Sequence, residues 1–74
     1  MSYKIPSNEL SRRERDVLQA LWDSEGERKA IASSLNMALP TVACHLQGIF
    51  TKLDVKGRIG AIKKGIKLGL IELR

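Results

Sequence analysis

The sequence predicts an all-α fold in which four short helices form one domain. Three observations support this prediction: apolar residues recur at intervals of three and four in four segments, the connections between these segments are short, and 74 residues provide for a single domain. Hydrophobic residues make up 43% of the chain but include one Trp, one Tyr and one Phe, so the core must be mainly aliphatic. We expect residues 1–9 to be a flexible segment and residues 10–74 to form the domain.

The first helix is predicted to begin at Ser11 and to end near Asp23. Ser11 and Glu14 have the spacing of a capping box, in which each side chain accepts a hydrogen bond from the backbone N–H of the other residue. Apolar residues then follow at helical spacing and define the inner side of the helix: Val17, Leu18, Ala20, Leu21 and Trp22.

A second helix is predicted from Glu27 to Leu35, with Ile31 and Ala32 on its inner side. Only residues 36–38 separate it from the next helix, and Met37 is expected to fill the bend. A connection this short forces the third helix to cross the second at a steep angle, as in a helix-turn-helix.

The third helix is predicted at residues 40–53, because Pro40 suits a first helical turn. Successive residues about 100° apart place five apolar residues on one stripe: Val42, Leu46, Ile49, Phe50 and Leu53. The opposite side carries small or polar residues: Cys44, Gln47, Gly48 and Thr51. A face that is neither bulky nor acidic can approach the base edges of DNA closely.

The fourth helix is predicted from Arg58 to Leu68, after a basic turn at residues 56–58. Its inner side is expected to carry apolar and small residues, namely Ala61, Ile62, Gly65 and Ile66, and its outer side Lys63, Lys64 and Lys67. Glycine in a helix interior costs roughly 1 kcal/mol relative to alanine. We therefore expect Gly60 and Gly65 to mark the close approach of another helix.

The net charge of +5 favours an anionic partner, either nucleic acid or a membrane surface. No apolar run approaches the roughly 20 residues that span a bilayer, and the first residues lack a signal-peptide core, so we expect a cytoplasmic protein. A single cysteine and a single histidine supply neither an intrachain disulfide nor a structural zinc site. Without a glycine-rich phosphate loop or a paired acid and base, we expect no enzyme activity and no cofactor.

Landmark residues recur in order between residue 10 and about residue 70: Leu10–Leu18, Ile31, Ala32, Leu35, Thr41, Val42, His45, Leu46, Ile49, Lys52, Leu53, Val55, Arg58 and Ala61. In these residues the sequence resembles the DNA-binding domain of the LuxR/GerE family of bacterial helix-turn-helix regulators. The resemblance implies a four-helix fold, a recognition helix at residues 40–53 and a homodimer formed through the fourth helix.

The resemblance also implies roles for individual residues. Phosphate contacts are implied for Lys29, Thr41, His45 and Lys52, and base-edge contacts for Ala43, Cys44 and Gln47. Lys56 and Arg58 add contacts to the DNA backbone, or Arg58 instead braces the fold against Glu14. His45 is either a phosphate contact or a structural histidine. The dimer interface is expected to include Ala61, Lys64, Gly65 and Leu68.

Several residues depart from the family pattern. Ala38 stands where a capping serine is usual, Ala43 where Lys or Arg is common, and Asp54 where Gly is common. The leading prediction is a sequence-specific transcription regulator that binds duplex DNA as a homodimer, with RNA polymerase or another regulator as a further candidate partner. The departures leave two alternatives open: an interaction module that heterodimerises with a full-length regulator and inhibits it, and an output domain cut from a longer protein.

Overall fold

The computed structural model describes residues 10–25 and 27–73 of the chain. These residues form four helices: α1 (Arg12–Asp23), α2 (Arg28–Leu35), α3 (Leu39–Leu53) and α4 (Arg58–Lys67). The all-α prediction is confirmed, and each helix begins and ends within one residue of its predicted bounds. The expected flexibility of residues 1–9 lies outside the described residues.

Helix α1 begins with the predicted capping box. The backbone N–H of Glu14 donates to the Ser11 hydroxyl at 3.1 Å, and the Ser11 N–H donates to Glu14 Oε1 at 2.9 Å. Two N–H groups that the first turn leaves unpaired thus obtain partners from side chains.

The residues that end α2 and α3 share a left-handed backbone conformation. Asn36 has a φ of 56° and Asp54 a φ of 58°. Asn and Asp tolerate this conformation better than other non-glycine residues, because their short polar side chains can bond locally. Met37, in the bend that follows α2, is half-buried against the core as predicted.

The core is aliphatic and receives side chains from all four helices. Eight of its larger residues are almost completely buried: Val17, Leu18, Leu21, Ile31, Val42, Leu46, Ile49 and Leu53. The predicted stripe on α3 is confirmed, with Phe50 half-buried at its edge. The stripe fixes which side of α3 faces outwards.

The prediction for the two sides of α4 needs correction. Ala61 is 0% exposed and Gly65 is buried, so neither can contact a second subunit while α4 is packed in this way. Ile66, expected on the inner side, is instead 37% exposed. Lys64 and Leu68, the other two predicted interface residues, are half-buried.

Close packing explains both glycines of α4, but the neighbour is not simply another helix. A Cβ atom at Gly65 would lie 2.6 Å from Ile71 Cδ1 and 3.2 Å from Leu18 Cδ2 of α1. A Cβ atom at Gly60 would lie 3.1 Å from Val55 Cβ. The main neighbours are thus the segment after α4 and the loop before it.

Residues 70–72 fold back onto α1 and α4, a contact that the spacing of the apolar residues does not predict. Gly69 adopts a φ of 73°, a left-handed conformation that turns the chain back after α4. Leu70 and Ile71 then enter the core. The Gln19 side chain donates to the Glu72 carbonyl at 2.9 Å and accepts from the Glu72 N–H at 2.7 Å. The C-terminal segment therefore closes the core between α1 and α4.

Within the described part of the chain, no helix has the length and apolar character needed to cross a bilayer.

Candidate nucleic-acid interface

The outward side of α3 presents small and polar side chains. Cys44, Gln47 and Thr51 are exposed there, as the periodicity predicts, and Thr41 is exposed in the first turn. The Thr51 hydroxyl donates to the Gln47 backbone carbonyl at 3.0 Å, so this hydroxyl is used within the helix. No residue of α3 carries a carboxylate, so no negative charge on the helix itself opposes approach to a phosphate backbone.

Gly48 does not lie on this outer side, although the periodicity placed it there. A Cβ atom at Gly48 would lie 2.8 Å from Glu14 Oε2, so the backbone of α3 packs against a side chain of α1. Helix α1 covers this flank of α3, and the outer face is correspondingly narrower than predicted.

An open concavity of about 790 Å³ lies where the first turns of three helices meet. It is lined by residues from α2, α3, α4 and the residue before α2: Glu27, Arg28, Lys29, Leu39, Pro40, Ala43 and Arg58. Lys29, Ala43 and Arg58 were all predicted to contact DNA, and the fold places these three around one depression.

The helices that border the concavity begin without side-chain caps. Among the described residues, no side chain caps the start of α2, α3 or α4, whose N-cap residues are Glu27, Ala38 and Gly57. Helix α1, away from the concavity, has a complete capping box. Uncapped first turns present N–H groups and a partial positive charge, both of which favour an anion.

A family model described as bacterial regulatory proteins, luxR family, matches residues 8–64. The chain belongs to the LuxR family of bacterial regulatory proteins. It is a regulator domain of the DNA-binding type that its landmark residues predicted.

Two curated relatives illustrate the range of LuxR-family proteins that resemble the chain. Over 64 residues it is 38% identical to the spore germination protein GerE of Bacillus subtilis (strain 168). These aligned residues cover 86% of the chain and 85% of GerE. Over all 74 residues it is 34% identical to the transcriptional regulatory protein DegU of Brevibacillus brevis, of which it spans 31%. The chain thus spans about a third of one relative and most of the other.

In this LuxR-type domain Lys52 has a partner inside the fold. Its Nζ donates to Glu14 Oε1 at 2.8 Å, which forms an ion pair between α3 and α1. Arg58 was one candidate for the cation that braces Glu14, but the ion pair with Glu14 is formed by Lys52. A phosphate contact by Lys52 stays a prediction, and it would have to compete with Glu14.

Glu14 is 8% exposed, and its environment acts on its pKa in opposite directions. Burial raises the pKa, while hydrogen bonds from Lys52 and from the Ser11 backbone, with the positive charge of Lys52, lower it. The lowering interactions prevail, so the pKa lies below its ordinary value of 4.5 and the carboxylate is ionised at neutral pH.

The other predicted residues lie around the outer face of α3. His45 is half-buried on a flank of the helix, and Lys56 is exposed in the turn before α4. Lys56 and Arg58 also line a second depression of about 460 Å³ at the start of α4. Within the described residues, no three His, Cys, Asp or Glu side chains form a group that could hold a metal ion.

Arg28 and Leu39 line the concavity but were not predicted as site residues. Arg28 directly precedes Lys29 in the first turn of α2, and this adjacency is a sequence signal that could have identified it. Leu39 is 43% exposed at the start of α3 and carries no such signal, because its apolar side chain is typical of a core residue.

Proposed function

We propose that this LuxR-type domain is a sequence-specific transcription regulator that binds duplex DNA with α3 in the major groove. One observation carries the proposal: three uncapped helix starts and the cations Arg28, Lys29 and Arg58 surround one concavity beside the outer face of α3. Such a domain would act in the bacterial cytoplasm. It would bind as a homodimer through α4, with recognition helices about 34 Å apart on two half-sites.

The two groups of residues have different tasks in this proposal. Lys29, Lys56 and Arg58, together with the N–H groups of the uncapped first turns, hold the phosphate backbone and set the position of the domain. Gln47 and Cys44 face the base edges from the exposed side of α3. The amide of Gln47 can pair with the N6 and N7 atoms of adenine, which makes it the main candidate for base selection.

The first test compares base-reading and phosphate-holding residues. Binding sites are selected from random duplex DNA with the parent protein and with Gln47→Ala and Lys29→Ala. We expect Gln47→Ala to change the preferred bases, because it removes the amide that reads them. Lys29→Ala should weaken all sites similarly and lower the slope of log affinity against log salt by about one, because it removes one phosphate contact.

Ser34→Ala, an exposed change on α2 away from the concavity, serves as the control and should bind as the parent does. If Gln47→Ala and the parent select the same sequences, the assignment of the outer face of α3 to the bases is wrong. A parent protein without any salt-dependent affinity for duplex DNA would contradict the proposal as a whole.

The inhibitory interaction module is a second candidate, favoured by the use of Lys52 inside the fold and by the uncharged Ala43 in the concavity. In this case the domain would pair through α4 with an intact LuxR-type regulator and prevent that regulator from binding its site. Mixing the two proteins and measuring the regulator's DNA binding separates the candidates. The second candidate is supported over the first if the domain alone binds no DNA, and if the regulator leaves its DNA site when it forms a heterodimer with the domain.

A further inference from the structure

A small cleft lies beside α4, on residues that the proposed DNA interface does not use. It has a volume of about 370 Å³ and is lined by Trp22, Asp23, Glu25 and Ile62; we call it the Trp22 cleft. An aromatic ring next to carboxylates is an environment that suits a cation, through charge attraction and contact with the ring.

The backbone at Glu25 is unusual. Glu25 has a φ of 57°, a left-handed conformation that is unfavourable for a glutamate, and its N–H donates to the Trp22 carbonyl at 3.3 Å. Helices often end with a left-handed residue, as α2 and α3 do at Asn36 and Asp54, although glycine is the usual choice. Here the conformation belongs to a residue whose side chain lines the cleft.

Helix α4 supplies the surface next to the cleft. Residues about 100° apart place Ile62, Ile66 and Ile59 in succession away from the cleft, followed by Lys63. Ile59 is 72% and Ile66 37% exposed, and Lys63 is exposed. The molecule therefore presents an acidic cleft, an apolar strip and a basic edge in that order, which together we call the α4 face.

This order is what a twofold-symmetric dimer requires. In an interface related by a twofold axis, each residue of one copy meets a complementary residue of the other, so the surface must complement itself. Helix α4 carries four cations and no carboxylate, so its lysines cannot pair with a second α4. With the axis through the apolar strip, the basic edge of one copy faces the acidic cleft of the other.

We propose that the Trp22 cleft receives Lys63 from a second copy of this chain, so that Glu25 and Lys63 pair across the twofold axis. The inference rests on the homodimer of the proposed function and names the residues that would join it. The α4 face has fewer residues than the roughly 20 to 30 per partner of a standard interface, so self-association in free solution should be weak. Two half-sites on one duplex would strengthen it by raising the effective concentration of the second copy.

A charge-swap experiment tests this pairing. Self-association of the parent, Glu25→Lys, Lys63→Glu and the double variant is measured by sedimentation equilibrium at low and high salt. Each single variant should raise the dimer dissociation constant by roughly tenfold or more at low salt, because symmetry repeats each altered pair twice. The double variant should recover parental association, since it restores opposite charges with their positions exchanged.

Trp22 gives an independent signal because it is the only tryptophan in the chain. Its emission should shift to shorter wavelength as the parent concentration rises, and the single variants should lack this shift at the same concentrations. Arg15→Glu, which reverses an exposed charge on α1, is the matched control and should associate as the parent does. Glu25→Gly separates charge from backbone strain: it should make the domain more stable yet weaken association.

The outcomes are decisive for this inference. A parent that is monomeric even at high concentration, single variants that associate as the parent does, or a double variant that fails to recover would each overturn it. Circular dichroism of each variant shows whether it is folded, so that weaker association is not mistaken for misfolding. Binding of the parent to a duplex with a single half-site is measured separately, because one copy can bind it without a partner. If the parent fails to bind this duplex, the proposed function is contradicted, whereas the association result stands.

Discussion

Glu14 connects two elements through one oxygen atom. Its Oε1 accepts from the Ser11 N–H at 2.9 Å and from Lys52 Nζ at 2.8 Å, so the cap of α1 and the last turn of α3 share a single acceptor. Its Oε2 lies on the side of Gly48. The ionised carboxylate therefore adds a polar contact to the apolar core that holds α3 against α1.

We predict that the Glu14 carboxylate makes stability depend on pH. Because its pKa in the folded protein lies below the ordinary value of 4.5, its contribution is complete above that value and is lost as the pH falls through the folded pKa. Glu14→Gln should lower stability at pH 7 by roughly 1 kcal/mol, a modest value because Lys52 is more than a third exposed. The difference from the parent should shrink as the pH falls below 4.5 and through the folded pKa.

Urea unfolding at several pH values measures this effect. Asp16→Asn is the comparison variant, because it removes an exposed pair with Arg13 and should cost about 0.5 kcal/mol or less at pH 7. Equal stabilities of Glu14→Gln and the parent at neutral pH would show that the ion pair with Lys52 contributes nothing.

Sequence spacing could predict only one of the two contacts of Glu14. The contact with Ser11 spans three residues and follows from the geometry of a helix start, so the capping box was predicted. The contact with Lys52 joins residues 38 positions apart. Its formation depends on how α1 crosses α3, and the spacing of residues within either helix does not contain that information.

At the scale of elements, helical periodicity identified the helices but not every face. Periodicity gives the angles between side chains around one helix. How much of that helix surface is buried depends on the neighbouring elements. Helix α1 covers the flank of α3 that carries Gly48, and Ile71 covers α4 at Gly65. These two neighbours explain why Gly48 is not on the outer face, where the periodicity placed it, and why Gly65 is unavailable to a second subunit.

The start of α3 offers a prediction about an element. Ala38 is the N-cap residue and has the extended backbone, φ −73° and ψ 149°, that a capping serine adopts. Ala38→Ser should therefore stabilise the domain by about 1 kcal/mol, because its hydroxyl can accept from an N–H of the first turn. The new hydroxyl would also occupy an N–H group that we assign to phosphate, so DNA affinity should not rise in proportion.

Thermal unfolding of Ala38→Ser beside Ala30→Ser checks this effect. Ala30 is an exposed residue within α2, where a serine caps nothing and should be neutral or slightly destabilising. An equal change in both variants would mean that serine acts by some route other than capping.

At the scale of the whole molecule, the C-terminal segment is part of the fold. The match to the LuxR family ends at residue 64, yet Leu70 and Ile71 are buried and Gln19 bonds both backbone groups of Glu72. The five residues after Gly69 are too few to show a helical or strand period. Residue spacing therefore carries no sign of the contacts that this segment makes.

We predict that Ile71→Ala destabilises the domain by about 2–5 kcal/mol, the range for a buried large-to-small substitution. The change removes the buried side chain that packs on Gly65. Leu73→Ala is the matched control, because Leu73 is 63% exposed and its truncation should change stability by about 0.5 kcal/mol or less. Chemical denaturation measures both, and similar values for the two variants would show that the segment does not close the core.

The apolar stripe of α3 points inwards, while Cys44 and Gln47 stand on the side that carries no packing. Selection can therefore change the residues at these two positions without disturbing the fold. A lineage of such proteins could acquire new target sequences through single substitutions at little risk to solubility or folding. The same separation makes positions 44 and 47 suitable for randomised libraries in which most members would fold.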